Sequence, residues 1–275
     1  MTPWLPLLAF LALGACDDTD DTAPETDTDT DTDADTDADT DADTDTDVDP
    51  TGAISGVLLY GDGSPASGAE AQLCRETCRS TEVGTDGSFT FTSLATGRYS
   101  VHFVADCNGS HCAEALFPVD VEDGLTTELA VPVYALPFED DTPITETTTG
   151  SFPAGEFLTL TVDGAALDPP FGVDLAIQGV RVPPEFRPDL STLGALEVLD
   201  VWYLGAFDTA ADPPVAFEVR EVFDGVGALD QVDIRVAGYL EADWLDGGTA
   251  TSSGDVLTSD AGSGLPCLTT LVLVR

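Results

Sequence analysis

The sequence predicts an all-β fold in which two β-sandwich domains follow a disordered acidic linker. Three observations lead there. Beyond Pro50, short segments that alternate apolar and polar residues are punctuated by Gly, Asp and Pro turns. No segment sustains the 3.6-residue apolar period of a substantial helix. Ahead of those segments, Asp17 to Asp49 carries 17 acidic residues and no basic one. A chain of 275 residues with 43% hydrophobic content is long enough for two ordinary cores. The expected organisation is an export segment over residues 1–15, an anchored cysteine and linker over 16–50, a first sandwich over 51–136 and a second over 137–275.

The N-terminal segment is apolar from Leu5 to Leu13, interrupted only by Pro6. A bilayer requires about 20 such residues, so this run reads as a signal-peptide core and not as a membrane span. It leads into Leu13, Gly14, Ala15 and Cys16, which resembles the bacterial lipobox, although Met1 to Pro3 supplies no Lys or Arg. The resemblance implies cleavage before Cys16, acylation of that residue, and a membrane partnership through the lipid anchor. It places the protein in the cell envelope. Asp17 resembles an inner-membrane retention signal of some bacteria, but the outer membrane, on its periplasmic face or at the cell surface, is the favoured location.

From Asp27 to Asp49 every odd-numbered residue is Asp, alternating with Thr, Ala and Val48. In an extended chain these carboxylates lie about 7 Å apart, inside the Debye length of about 8 Å at physiological ionic strength, so they repel and open the chain. With no aromatic residue, the segment buries too little to offset its ordering entropy. Its 33 residues reach about 110 Å when fully stretched, which makes it a spacer. Two alternatives share the pattern. Its threonines can carry O-linked sugars. The alternating Asp faintly resembles a calcium loop, but without the turn Gly and closing Glu it supports only weak, non-specific Ca²⁺ condensation. No cofactor is expected.

Between residues 51 and 135 the chain reads as successive short strands. Gly56 and Val57, Gly63 and Pro65, Gly68 and Ala69, then Thr85, Asp86, Gly87, Phe89, Phe91, Leu94, Gly97, Tyr99 and Val101 resemble the carboxypeptidase regulatory-like domain. The resemblance implies a seven-stranded, transthyretin-like or immunoglobulin-like sandwich and an accessory role with no catalytic residues. Four cysteines fall in this region. Cys74 and Cys78 flank one short loop and Cys107 and Cys112 another, which favours a disulfide within each pair over bridges between the two loops. A zinc site using His102 and His111 is the alternative, but an exported chain favours oxidation. His102 is expected to face away from Val101 and Phe103.

The second β-rich block follows "PFEDDTP" (137–143). Its terminal segments resemble β-sandwich modules of envelope lipoproteins, a resemblance that implies no activity. Cys267, just before an apolar strand, reads as a buried thiol.

The formal charge of −44, with all eight basic residues Arg, repels phosphate backbones and excludes nucleic acid as a partner. Catalytic motifs are absent from the sequence: it shows no GxSxG, no HExxH, no phosphate loop and no dinucleotide fingerprint, and has only two histidines. The chain is therefore expected to be a non-enzymatic, membrane-anchored lipoprotein that displays its sandwiches for structural or adhesive binding of a protein or polysaccharide. A carbohydrate-binding lipoprotein is the alternative and an accessory subunit of an enzyme the second. Sugar binding would use exposed aromatic platforms, for which Trp202, Tyr203, Tyr239 and Trp244 are the candidates; Trp202 and Tyr203 face opposite sides of a strand, so at most one need be core, although buried packing is the favoured role for each.

Overall fold

The computed structural model describes residues 51–170, 172–220 and 230–275. The expected signal segment, the candidate lipidation site at Cys16 and the acidic segment expected to act as a spacer lie outside the described residues.

The first block contains β1 (Gly52–Tyr60), β2 (Glu70–Cys74), β3 (Cys78–Glu82), β4 (Ser88–Leu94), β5 (Gly97–Val104), β6 (Cys112–Ala113), β7 (Leu116–Val121), β8 (Thr126–Glu128) and β9 (Val133–Pro137). Seven of these have five or more residues. They form two sheets, one ordered β4-β1-β9-β6 with β8 beside β1, the other ordered β3-β2-β5-β7. Alternation sets the inner faces. Phe89, Phe91 and Leu94 of β4 point inward with Ile54 and Leu58 of β1, and meet Val101, Phe103, Phe117 and Val119 from the other sheet. Asp86 and Gly87 turn the chain into β4: the Asp86 carboxylate accepts from the Ser88 amide and hydroxyl. Gly87 adopts φ +84°, and a Cβ there would lie 2.7 Å from the Leu58 carbonyl oxygen.

The second block contains β10 (Asp140–Pro143), β11 (Thr149–Pro153), β12 (Leu158–Asp163), β13 (Leu167–Asp168), β14 (Ala176–Arg181), β15 (Val198–Gly205), β16 (Thr209–Val219), β17 (Gln231–Ala237), β18 (Trp244–Ser253), β19 (Val256–Ser259), β20 (Leu265–Leu268) and β21 (Thr270–Val274). These build one sheet of twelve strands, ordered β10-β14-β15-β21-β17-β18-β19-β16-β12-β11, with β13 and β20 beside β16. The sheet curls almost into a barrel. Its ends meet where the segment after β11 crosses β14, and a Cβ on Gly179 would lie 2.2 Å from the Ala154 carbonyl oxygen, so only glycine admits the crossing. Two carboxylates stitch this seam: the Gly155 amide donates to Asp140 Oδ2 at 2.9 Å and the Glu156 amide to Glu139 Oε2 at 2.6 Å.

The two blocks share a core. Along β15 and β21, Trp202, Leu204, Leu271 and Leu273 face the barrel interior, with Leu160, Phe217 and Ile234. Their neighbours Val201, Tyr203, Val272 and Val274 join the core of the first block, together with Val180 and Val182. This part of the sheet is covered on both faces. The junction is also polar: the Ser100 hydroxyl donates to the Gly238 carbonyl at 2.6 Å, the Leu116 amide to Thr270 Oγ1 at 3.0 Å, and Arg98 bridges Asp120 and Asp243 at 2.7 and 2.6 Å. Beside it, the buried Asp200 carboxylate accepts from Arg181 at 2.7 Å, Arg187 at 2.9 Å and the Val201 amide at 2.9 Å.

Candidate functional site

Where the β3-β2-β5-β7 sheet rests beside the barrel, a cleft of about 1190 Å³ remains open. Small-molecule sites commonly occupy about 300–1,000 Å³, so the space admits a ligand at least that large. One wall comes from the first block: His102 on β5, Glu114 just before β7, and the hairpin of Glu76, Thr77 and Cys78. The facing wall comes from the β15–β16 turn with Phe207 and Asp208, and from the β17–β18 connection with Tyr239 and Leu240.

His102 is buried because its side of β5 meets the barrel while Val101 and Phe103 fill the first core. Its Nε2 lies 2.7 Å from Glu114 Oε2 and its Nδ1 3.3 Å from Gln72 Oε1. The ring stacks on Phe207 with centroids 4.2 Å apart and meets the Tyr239 ring at 5.5 Å. Tyr239 donates its hydroxyl proton to Gln72 Oε1 at 2.9 Å, and its oxygen lies 3.3 Å from Cys78 Sγ. Thus a residue from each block orders the other. With both ring nitrogens engaged, His102 positions the wall.

Asp208 sits at φ +53°, its amide donating to the Leu268 carbonyl at 2.9 Å. Its carboxyl is pushed up to about 7, first by burial and then by the charge of Glu241. Tyr239 is pushed up to about 12 by burial and by the carboxylates of Asp208, Glu114 and Glu70. Both shifts describe a partly dry site of negative potential. The side chains of Glu76, Asp168, Asp174 and Asp208 also line it and have no hydrogen-bond or ion-pair partner among the described residues. Near neutral pH, Asp208 can donate as an acid or accept as a carboxylate.

The two disulfides are Cys74–Cys78 and Cys107–Cys112, and each contributes a cysteine to the cleft lining. Their sulfurs are therefore not thiolate donors for zinc, and no cluster of three metal-ligating side chains occurs among the described residues. Cys267 is buried and outside both bridges.

The aromatic platform that the sugar-binding alternative would need at Trp202 and Tyr203 is corrected, and both rings pack inside. Both side chains are 0% exposed, because their strand is covered on both faces and alternation sends one ring into each core. Trp244 is partly buried against the first core, and its indole donates to Thr192 Oγ1 at 2.9 Å, so it belongs to the junction. Of the aromatic candidates, only Tyr239 lines the cleft, where it joins Phe207 and Phe138. The pair Phe207 and Asp208, in "GAFDTA", carries no local sequence signal that marks it as part of a site.

No protein-family model matches the chain, and no curated protein matches it. Among solved structures it is similar to the TIE protein of Bacillus anthracis, at 10% identity over 76% of this chain and 43% of that one, with a TM-score of 0.28, so it spans less than half of that protein's length. It is also similar to a candidate carbohydrate-binding protein from Bacteroides uniformis, at 11% identity over 82% of this chain and 99% of that one, with a TM-score of 0.23. At those scores, any function must be argued from the chemistry of the cleft.

Proposed function

We propose that this chain is a lipid-anchored binding protein of the cell envelope that holds an all-β body on an acidic spacer and takes its ligand in the cleft between the blocks. The observation that carries the reading is that cleft: a concave site walled by Phe207 and Tyr239 and edged by Glu76, Asp168, Asp174 and Asp208, whose carboxyl groups have no partner among the described residues. Such a lining supplies contact area from the rings and acceptors from the carboxylates, as a neutral or cationic ligand with many donors requires. Two disulfides support an extracytoplasmic setting, and Cys16 supplies the anchor. In this reading the role is binding, and His102, held between Glu114 and Gln72, orders the wall.

The lining also favours a polysaccharide among the ligands, because sugar hydroxyls match carboxylate acceptors and sugar C–H faces match rings. Two measurements test the proposal. Cys16→Ser should abolish acyl labelling and move the protein out of the membrane fraction; full retention in membranes would overturn the anchor. Binding of the chain to envelope polysaccharide fractions should weaken at least about tenfold in Asp208→Ala, which removes a lining acceptor. Unchanged binding in a folded variant would remove the cleft from the ligand site.

A further inference from the structure

Six of the eight arginines hold a carboxylate: Arg98, Arg181, Arg187, Arg220, Arg235 and Arg275. Arg75 and Arg79 hold none among the described residues, although 35 acidic residues lie beyond Asp49. In so acidic a body, an unpartnered carboxylate is ordinary, but two neighbouring arginines without one are not. Both are exposed and reach main-chain carbonyls at or just beyond the end of β4. Arg75 Nη1 donates to the Thr96 carbonyl at 3.3 Å, and its guanidinium lies 5.6 Å from the Tyr99 ring centroid. It packs over Gly97, where a Cβ would come within 2.7 Å of Nη1. Arg79 Nη1 lies 3.4 Å from the Ser93 carbonyl oxygen and 3.5 Å from that of Thr92. Each guanidinium has five N–H donors, so most of its capacity remains. Both arginines line a recess of about 270 Å³.

The corner that holds these arginines is where the acidic segment enters the fold. Gly52, the first residue of β1, pairs with Leu94, midway between the Arg79 carbonyl partners at Thr92 and Ser93 and the Arg75 partner at Thr96. On its other side, a Cβ on Gly52 would touch Val121, which pairs with Gly97 beneath the Arg75 guanidinium. Neighbouring strands lie about 5 Å apart, and three to nine extended residues span about 10–30 Å. Asp43, Asp45, Asp47 and Asp49 therefore reach both arginines.

We propose that the Arg75–Arg79 surface is the docking site for the chain's own acidic segment, through the carboxylates of Asp43 to Asp49. The rest of the body repels that segment, so this corner is where its charge is met. Glu76 and Thr77, between the two arginines, line both the recess and the large cleft. Docking there directs the spacer along the rim of the cleft, and sets which way the cleft faces relative to the far end of the spacer.

Val48 is the only valine between Cys16 and Pro50, which makes its amide a unique reporter. The experiment uses the full chain with Cys16→Ser, ¹⁵N-labelled, at low salt. In Arg75→Gln/Arg79→Gln, the order parameter of Val48 should fall from above about 0.6 towards the value at Ala34, with the amide shifts of the folded body unchanged. About 0.5 M salt should lower it in the same way in the parent. Converting Asp43, Asp45, Asp47 and Asp49 to Asn tests the contact from outside the fold, and should move the Arg75 and Arg79 Nε–H signals. An order parameter at Val48 that is the same in parent and double variant overturns the proposal. So does a titration with glucuronate that shifts those Nε–H signals equally in the parent and the four-Asn variant, since the surface would then serve an external anion.

Discussion

Replacing Asp208 by Asn removes a carboxyl that titrates ordinarily, near 3.8, in the unfolded chain and at about 7 in the fold. Between those values the folded state holds a proton that the unfolded state has released. Stability therefore falls as pH rises from about 4 to about 7, and the full penalty is present above 7. A difference of about three pK units at about 1.4 kcal/mol each gives about 4 kcal/mol, and solvent at the cleft mouth reduces that to roughly 2–4 kcal/mol. Asparagine keeps the shape without the charge. Asp208→Asn should match the parent at pH 4 and exceed it at pH 8, with a gain in Tm of about 5–12 °C for a body of this size. Thermal melts followed by tryptophan fluorescence from pH 4 to 9 would read both curves. Subtracting them isolates this one group from the titration of every other carboxylate. A difference between the two proteins that stays flat with pH, or a parent that is the more stable at pH 8, would refute the assignment of a half-buried, proton-holding Asp208.

Trp202→Ala and Tyr203→Ala should each cost about 3–5 kcal/mol in chemical denaturation, although their rings enter different cores; a loss confined to half of the signal in either variant would show that the blocks unfold separately. Asp200→Asn should destabilise by about 3–5 kcal/mol, because it leaves Arg181 and Arg187 beside a buried neutral group; a neutral effect would mean that water already solvates the pair. A Gly/Ser segment of equal length in place of Asp17–Ala42, which keeps Asp43 to Asp49, should leave the Tm of the body unchanged, while shortening it to a few residues should reduce antibody access on whole cells. Loss of ligand binding with the equal-length segment, in a protein still folded and anchored, would assign recognition to the carboxylates themselves.

The alternation that made the fold legible is a local property. Phe89 with Phe91, and Tyr99 with Val101 and Phe103, each share a face by the two-residue period alone, and Asp86–Gly87 declares its turn by chemistry. The pairing of Cys74 with Cys78 and Cys107 with Cys112 was likewise readable, because each bridge spans a short loop. The site was hidden for the opposite reason. Gln72, His102, Glu114, Phe207, Asp208 and Tyr239 come from strands and turns up to 167 residues apart, and they meet only because two sheets pack together. Trp202 and Tyr203 show how the same period can mislead. Alternation separates two faces, but it says nothing about whether the outward face is left to solvent.

The strand β21 lies between β15 and β17 and sends Leu271 and Leu273 into one core and Val272 and Val274 into the other. It also follows the other described strands in sequence. During vectorial synthesis or passage through a membrane, β15 and β17 therefore wait with their central edges unpaired, and neither hydrophobic interior can close before β21 arrives. Order of emergence and order of packing run against each other in this topology. The interval is one in which exposed strand edges invite pairing with another chain, so β15 and β17 stay open to wrong partners until β21 has emerged.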